Sequence, residues 1–564
     1  MDNLKNVIAA ISLSLAVIVF YTLFFSNPNQ ESDNLSKEEN KTLIENSETP
    51  TIEEKIEVKK ISRDEAMNSS ERIYFENNFV KGSINLKGGE IDDFEFKYYD
   101  ETLNSKDKIK LLNPMATEEG YALYTGWTTN SDISLPNINS IWKVEGNNNL
   151  TPNNPIKITY KNDSGIIFER LISIDEKYLF NIKQTLVNNS SNNYKFYPYA
   201  IIKRNNLPND LTDFYILHEG YSIIDGNDLD EIDYSDVREK KFSKEADNAV
   251  LVQGDKYWMT SIIPEKGRPV RFDINYNKKY TASYIDMKGY ESRPNTVIEN
   301  NIQSLIGAKE IELINRYQED LKIEKLDLIV NFGNLYFVVK PMWFILSYIY
   351  KSVGNYGYAI ILMTILVRLV FFPLNQYSMK SMGKMRKLGP EIENIKAKYK
   401  DDKQQQQKEM MKLYKVNKIN PASSCFPILV QIPIFFSIYK LLLLDVDMRH
   451  SNFIWIWEDL SAKDPTSFLN LFGLLNFQVP SFLEVGILPI LMGGSMWLQM
   501  KLSPQPSGND EMQKVQKKIF AFLPLFLTFI LAPFAAGLVL YWCVTNILTI
   551  IQQWIINRTI NTKI

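Results

Sequence analysis

The chain has 564 residues, 63 of them Lys or Arg and 66 Asp or Glu, for a net charge of -3, with two cysteines and two histidines. That balance lacks the basic character of a nucleic-acid binder. His218 and His450 stand far apart without neighbouring cysteines, so there is no zinc or haem spacing, and no metal or other cofactor is expected.

Residues 7–25 are an uninterrupted apolar stretch of membrane-spanning length behind a short head carrying Lys5. A cleavable signal wants a shorter core and a small-x-small site, whereas this run ends in FFSNPNQ, so residues 1–25 are expected to be a retained transmembrane anchor. Residues 26–71, dominated by Asn, Glu, Ser and Lys without apolar periodicity, cannot bury enough surface to fold and read as a disordered linker. From 72 to 330 the texture changes to short alternating runs broken by Asn, Asp and Gly: KGSINLKGGEIDDFEFKYY, GIIFERLISI, YLFNIKQTLVN, YWMTSIIP and RPVRFDINYN. These predict a largely antiparallel β domain of sandwich type, without a Gly-rich nucleotide loop. A plain soluble binding or scaffold domain accounts for that pattern. Both cysteines, Cys425 and Cys543, fall in apolar runs further on, so no disulfide is expected in the polar region.

Apolar texture returns at Phe332. The segment WFILSYIYKSVGNYG mixes aromatics with Lys351, and residues 331–356 read as an amphipathic helix lying in the membrane interface. Four or five spans follow, depending on how the last stretch is cut: roughly 357–374, 425–444, 485–500, 519–531 and 535–555, the fourth short and joined to the fifth by a tight turn around Pro533. The expected organisation is a transmembrane helix with Arg368 (357–377), a basic helical hairpin (378–420), the remaining four transmembrane helices with their loops (421–556) and a short tail (557–564). With the anchor, this makes a polytopic α-helical membrane protein of six transmembrane helices plus a large β domain.

Charge sets the orientation. Between Lys380 and Lys418 twelve Lys and Arg face five acids, which places that loop in the cytoplasm. The next connection, 445–484, is net acidic and belongs outside; alternation then puts 501–518 and both termini inside and the β domain in the oxidising outer compartment.

Arg368 stands inside the apolar run YAIILMTILVRLVFFPL. A guanidinium cannot lose its charge, so an arginine in a span is a functional hypothesis by default. It lies roughly 9 Å from the cytoplasmic end of its span at a rise of 1.5 Å per residue. Gln431, six residues after Cys425 on a span running outward, reaches a similar depth, and Thr364 shares the helix face of Arg368 one turn earlier. Either these groups wall a polar cavity, or the arginine reaches up to the headgroups. Pro427 and Pro433 flank Gln431 and suggest an irregular helix. In the hairpin, Met382, Met385, Leu388, Ile392, Ile395 and Tyr399 recur at spacings of three and four; DDKQQQQ interrupts the pattern, and EMMKLYKV, with Met410 and Met411, resumes it. A methionine-bearing face can hold apolar segments of varied sequence, or the residues can simply zip the two helices together. No GxxxxGK[ST] loop occurs, so movement driven by nucleotide hydrolysis of that kind is not expected.

The segments VGNYGYAIILMTILVRLVFFPLNQYSMKSMGKM, KEMMKLYKVNKINPASSCFPILVQIPIFFSIYKLL, ILPILMGGSMWLQMK and GLVLYWCVTNILTIIQQ resemble the Oxa/YidC/Alb family of membrane protein insertases, in its Gram-negative form with an extended periplasmic domain. The resemblance implies a five-helix core around a hydrophilic groove, open to cytoplasm and lipid and closed to the periplasm. It implies groove positions for Arg368, Thr364 and Gln431 and an aromatic pair at Tyr541 and Trp542. It also implies a β-supersandwich of the galactose-mutarotase type; an epimerase would want a histidine and carboxylate pair, and His218 is that domain's only histidine, so no enzyme activity is expected. The implied protein sits in the inner membrane and handles nascent membrane proteins in the lipid bilayer, with or without the Sec translocon. Two departures stand out: residues 466–486 lengthen an outer loop, and the tail after Ile556 is only NRTINTKI, which puts contact with the ribosome through the tail in doubt.

Overall fold

The computed structural model describes residues 60–103, 105–208, 211, 217–400, 402–418, 426–469, 471, 475, 484–502 and 511–561. It divides into two compact units, one ending at Asn331 and the other beginning at Phe332. The expected anchor at 7–25, Cys425 and most of 466–486 lie outside the described residues.

The first unit is a β-sandwich. One sheet runs in the order Phe242–Asp247, Pro269–Asn277, Lys279–Asp286, Tyr194–Arg204, Tyr121–Thr129, Glu90–Asp100, Val80–Asn85, Arg72–Glu76, Asn149–Leu150, with Tyr290–Ser292 and Lys108–Leu112 paired beside it. The other runs Asp228–Asp233, Gly220–Asp225, Val250–Gly254, Trp258–Ile262, Thr296–Ala308, Leu179–Asn188, Ile166–Ile174, Ile156–Lys161, Lys143–Glu145. Pairing is antiparallel except between Arg72–Glu76 and Asn149–Leu150, which are parallel. Leu179–Asn188 buries every second residue, the period of a strand with one face on a core. Rings from both sheets interlock there: Phe75 meets Phe180 edge-on at 5.2 Å, and Phe96 lies 4.7 Å from Trp258.

Two buried arginines find partners close by. Arg170, beneath the ring of Trp142 at 4.1 Å, donates to the carbonyls of Gly89, at 2.7 Å, and Thr125. Arg204 Nη1 reaches both oxygens of Asp255 at 2.9 and 2.8 Å, and the Tyr234 hydroxyl donates to the same carboxylate at 3.0 Å. Burial, then the neighbouring Asp92 carboxylate, pushes Glu90 up to about 8.

The linker expected to be disordered through residue 71 is in fact ordered from Lys60. Ser62 caps helix α1 (Arg63–Met67): its hydroxyl accepts from Glu65 N at 3.3 Å while the Glu65 carboxylate accepts from Ser62 N at 3.1 Å. Arg63 then ion-pairs with Asp93. A five-residue helix carries no readable periodicity; its signal was the capping pair. Helices α2 (Tyr234–Glu239) and α3 (Ile311–Asp320) complete the unit.

The second unit is helical: α4 (Tyr336–Val353), α5 (Tyr356–Val370), α6 (Phe372–Lys387), α7 (Gly389–Lys398), α8 (Lys403–Val416), α9 (Phe426–Leu444), α10 (Ile487–Leu502), α11 (Glu511–Leu531) and α12 (Ala536–Asn561). Several boundaries differ from expectation. The span predicted to run unbroken over 357–377 bends by 58° between α5 and α6. Pro373 explains the break, because it has no N–H for the Leu369 carbonyl and its ring crowds that carbonyl. The first hairpin arm is divided at Leu388 by the Gly389-Pro390 start of α7, and the glutamines expected to interrupt the hairpin belong to α8, capped by Asp402. Helix α11 begins at Glu511, eight residues before the predicted span, and α12 continues to Asn561 through most of the predicted tail. Of the two prolines expected to disturb α9, Pro433 lies inside it and Pro427 at its start, where a missing N–H costs little.

Among the described helices, α12 alone is long and apolar enough to cross a bilayer by itself, over Ala536–Ile556; α5 and α6 pass only as a bent pair, and Val430–Leu444 and Ala521–Leu531 are shorter apolar helices. Leu362, Leu366, Leu369, Phe522, Phe526, Phe529, Ile547 and Ile551 are exposed, an apolar exterior that suits hydrocarbon rather than water.

Two outcomes follow for a fragment of residues 60–331. Arg204→Ala strands the Asp255 carboxylate and lowers unfolding stability in urea by about 3–5 kcal/mol, whereas adding Asp255→Ala recovers part of the loss; equal losses would contradict the pairing. Glu90, raised in the folded state, stabilises fully below about 4.5 and loses that contribution as pH rises through about 8. Glu90→Gln should therefore flatten the fall in stability between pH about 5 and about 9, by on the order of 2 kcal/mol.

Candidate functional site

Helix α12 is apolar apart from a polar stripe. Tyr541, Thr545, Thr549 and Gln552 follow one another at spacings of four, four and three, so they share one face, and all are buried. Asn546 and Gln553, seven apart, are buried on an adjoining face. Polar groups inside an apolar bundle need partners, and those partners come from the surrounding helices.

Arg368, near the end of α5, is half-buried, and its Nη2 donates to the Thr545 main-chain carbonyl at 3.5 Å. Among the described residues it makes no ion pair. The Thr545 carbonyl also accepts from the Thr549 hydroxyl at 2.7 Å, and Thr545 itself is buried. Gln431, on α9, donates from Nε2 to the Tyr541 hydroxyl at 3.2 Å. Tyr541 in turn interacts electrostatically with Arg368. Thus Arg368, Gln431 and Tyr541 converge from three helices on the α12 stripe. Trp542, half-buried, packs through Phe435 of α9 at 4.9 Å.

Thr364 is placed differently. It lies one turn before Arg368 but is only 1 % exposed, and its hydroxyl donates to its own helix at Ile360 O, 2.6 Å away. The stripe continues to the α5–α6 bend, where Gln552 Nε2 donates to the Phe372 carbonyl at 3.4 Å. On the adjoining face, Asn546 Nδ2 donates to Met492 O at 3.3 Å and Ser495 Oγ at 3.1 Å, tying α12 to α10.

Of the hairpin residues singled out, Leu388 is buried, Met385 and Met410 are half-buried and Met411 is 46 % exposed; the side chain of Met382 lies outside the described residues. The hairpin arms are joined by Gln406, whose Nε2 donates to Lys396 O at 3.1 Å.

Thr545, Asn546, Thr549, Gln552 and Gln553 were not singled out from the sequence. Their spacing of four, three and seven within an apolar run was the available signal.

A family model described as "60Kd inner membrane protein" matches residues 348–563, and one described as "YidC periplasmic domain" matches residues 72–345. The membrane protein insertase YidC of Pelagibacter ubique (strain HTCC1062) is 48% identical over 562 residues, covering 99% of each chain. That of Brucella suis biovar 1 (strain 1330) is 36% identical over 602 residues, covering 100% of this chain and 97% of the relative. A solved structure titled "Active YidC insertase crystal structure with the first transmembrane domain resolved" aligns with a TM-score of 0.34 at 18% identity, over 86% of this chain and 92% of that one. On the two family models and the full-length relatives, the chain belongs to the YidC family of membrane protein insertases.

Proposed function

We propose that this chain inserts integral membrane proteins into the inner membrane and helps them fold, alone or beside the Sec translocon, through a hydrophilic groove open to the cytoplasm and without hydrolysing nucleotide. One observation carries the reading: Arg368 has no carboxylate partner among the described residues and rests only on a main-chain carbonyl. A cation held in a low-dielectric bundle and left without a counter-ion attracts the carboxylates of an incoming segment far more strongly than one in water. Tyr541 and Gln431 supply hydrogen-bonding groups beside it, so a polar segment entering there trades water for fixed dipoles.

On this reading the chain makes six spans: the anchor at 1–25, the bent pair α5–α6, α9, α10, α11 and α12. Both termini are cytoplasmic and the β domain, a supersandwich of the mutarotase type, is periplasmic, with residues 331–356 in the interface. The basic hairpin, with the exposed Met411, meets the apolar part of a nascent chain at the ribosome. The acidic tail that must cross enters the groove, while the apolar segment moves along α9 and α11 into lipid. Wetting the inner half of the bundle shortens the hydrocarbon the tail must cross. Burying a span's apolar surface, at about 25 cal/mol per Å2, drives the process.

Protease protection of a small client with an acidic outer tail, added to liposomes holding the full chain, tests this. Arg368→Ala should reduce protected tail about tenfold, equivalent to ~1.4 kcal/mol, and Arg368→Lys should be milder because charge matters more than shape. Equal defects would sink the charge account, and protection by neither wild type nor variant would favour a solute transporter. A second outcome concerns residues 60–331: a chain lacking them should keep most insertion activity, whereas an anchored periplasmic binding module would lose all of it.

A further inference from the structure

Residues 451–462 form a loop fastened to the starts of two helices. Asn355, which caps α5 by accepting from Tyr358 N at 3.1 Å, donates from Nδ2 to Phe453 O at 2.9 Å. The Phe453 ring lies so close to Gly357 that a Cβ there would overlap it, and Tyr358 packs on it edge-on at 5.4 Å. At the other end, Ala536 N donates to Ala462 O at 2.7 Å and Gly537 N to Leu460 O at 2.9 Å, satisfying first-turn N–H groups of α12. Ser451 O accepts from Leu460 N at 2.9 Å and closes the loop. The loop therefore stands level with the first turns of α5 and α12.

Its tip is a tight turn over Ile454–Trp457, closed by Trp457 N to Ile454 O at 3.2 Å and Phe453 N to Trp457 O at 2.8 Å. Trp455 occupies the second position with φ 54, a left-handed conformation that costs a bulky residue of order 1–3 kcal/mol. Glycine would fit there at no such cost, yet this turn presents a tryptophan whose side chain is 79 % exposed, beside an exposed Ile454. Phe453 and Trp457 hold the base from below, buried and stacked with centroids 6.3 Å apart.

We propose that the Ile454–Trp455 tip is a lipid anchor, seated in the headgroup level of the outer leaflet. The inference rests on the reading of α5 and α12 as membrane-spanning. Indole is amphipathic and concentrates at the boundary between hydrocarbon and water, which is the level the loop's attachments impose. The Trp455 ring meets Trp457 edge-on at 6.5 Å, yet most of its surface is left open on a strained turn, and a lipid surface covers it. The anchor has a mechanical consequence. Arg368 follows the start of α5 by twelve residues, so a tip fixed in the outer interface sets the arginine roughly 18 Å below it, past the middle of a core about 30 Å thick.

The test uses the full chain in liposomes, with Cys425→Ser and Cys543→Ala and a single cysteine at 455 or, separately, at 362, each carrying an environment-sensitive fluorophore. Leu362, 43 % exposed on the middle of α5, reports on the span itself. Quenching of the 455 probe by a lipid with a shallow nitroxide, but not by one with a deep nitroxide or by aqueous iodide, is the expected result, while the 362 probe is quenched by the deep lipid. A 455 probe quenched by iodide, or reached by no lipid quencher, with 362 still quenched deeply, overturns the anchor and leaves the span intact; this includes the case of a protein partner covering the tip. Failure of both probes to meet lipid overturns the spanning reading instead. A parallel measurement avoids the cysteine background: Trp455→Phe in the otherwise unaltered chain should remove a component of tryptophan emission that lipids brominated near the headgroup quench, and retention of that component overturns the anchor.

Discussion

A guanidinium that cannot shed its proton, held on a helix with an apolar exterior, constrains everything packed around Arg368. It must find polar atoms nearby or water within reach, and the surrounding helices meet that need in a particular way. The first ligand is not an acid but the Thr545 carbonyl, a main-chain dipole on α12. A carbonyl softens the charge without cancelling it, whereas a carboxylate in the same place would consume it. The stripe Tyr541, Thr545, Thr549, Gln552 gives the arginine a polar wall, and Gln431 extends that wall onto α9.

The same stripe explains the shape of the bundle near its bend. Pro373 leaves the Leu369 carbonyl without its ladder donor at the break between α5 and α6, and close by Gln552 of α12 donates to the Phe372 carbonyl at the start of α6. Asn546 does the comparable work on the other side, joining α12 to Met492 and Ser495 of α10. At the opposite end of α10, Asp464 accepts from Leu488 N at 2.8 Å and Thr466 Oγ1 accepts from Ile487 N at 2.7 Å, so that the first-turn N–H groups are met by loop side chains. Polar side chains thus hold the helices in register where apolar packing, being non-directional, would allow them to slide.

The β unit solves a different problem. Its two sheets meet through large rings such as Phe75, Phe94 and Phe180, and two of its buried arginines are paired with acids, Arg204 with Asp255 and Arg72 with Asp92. His218, the unit's sole histidine, is hydrogen-bonded to Asp233 Oδ1 at 2.7 Å and to Tyr221 O at 2.9 Å, beside a strand terminus.

Much of this was legible in the linear sequence because it depends on local period and composition. Alternation at period two marked strands such as Leu179–Asn188, apolar runs marked the helices of the second unit, and one charge in a long apolar run singled out Arg368. Gln431 was reachable in the same way, as a lone amide between prolines. What tertiary structure decided was direction and partnership. Thr364 shares a face with Arg368 by spacing, yet packing closes it off and its hydroxyl turns back to Ile360, because nothing in helical periodicity says how wide the accessible part of a face will be. The short helix α1 depends on Arg63 finding Asp93, thirty residues away, and the α5–α6 bend meets a partner 180 residues on, where Gln552 donates to the Phe372 carbonyl. Period and composition are properties of neighbours in sequence; which polar group satisfies which is settled only when distant segments exclude water together.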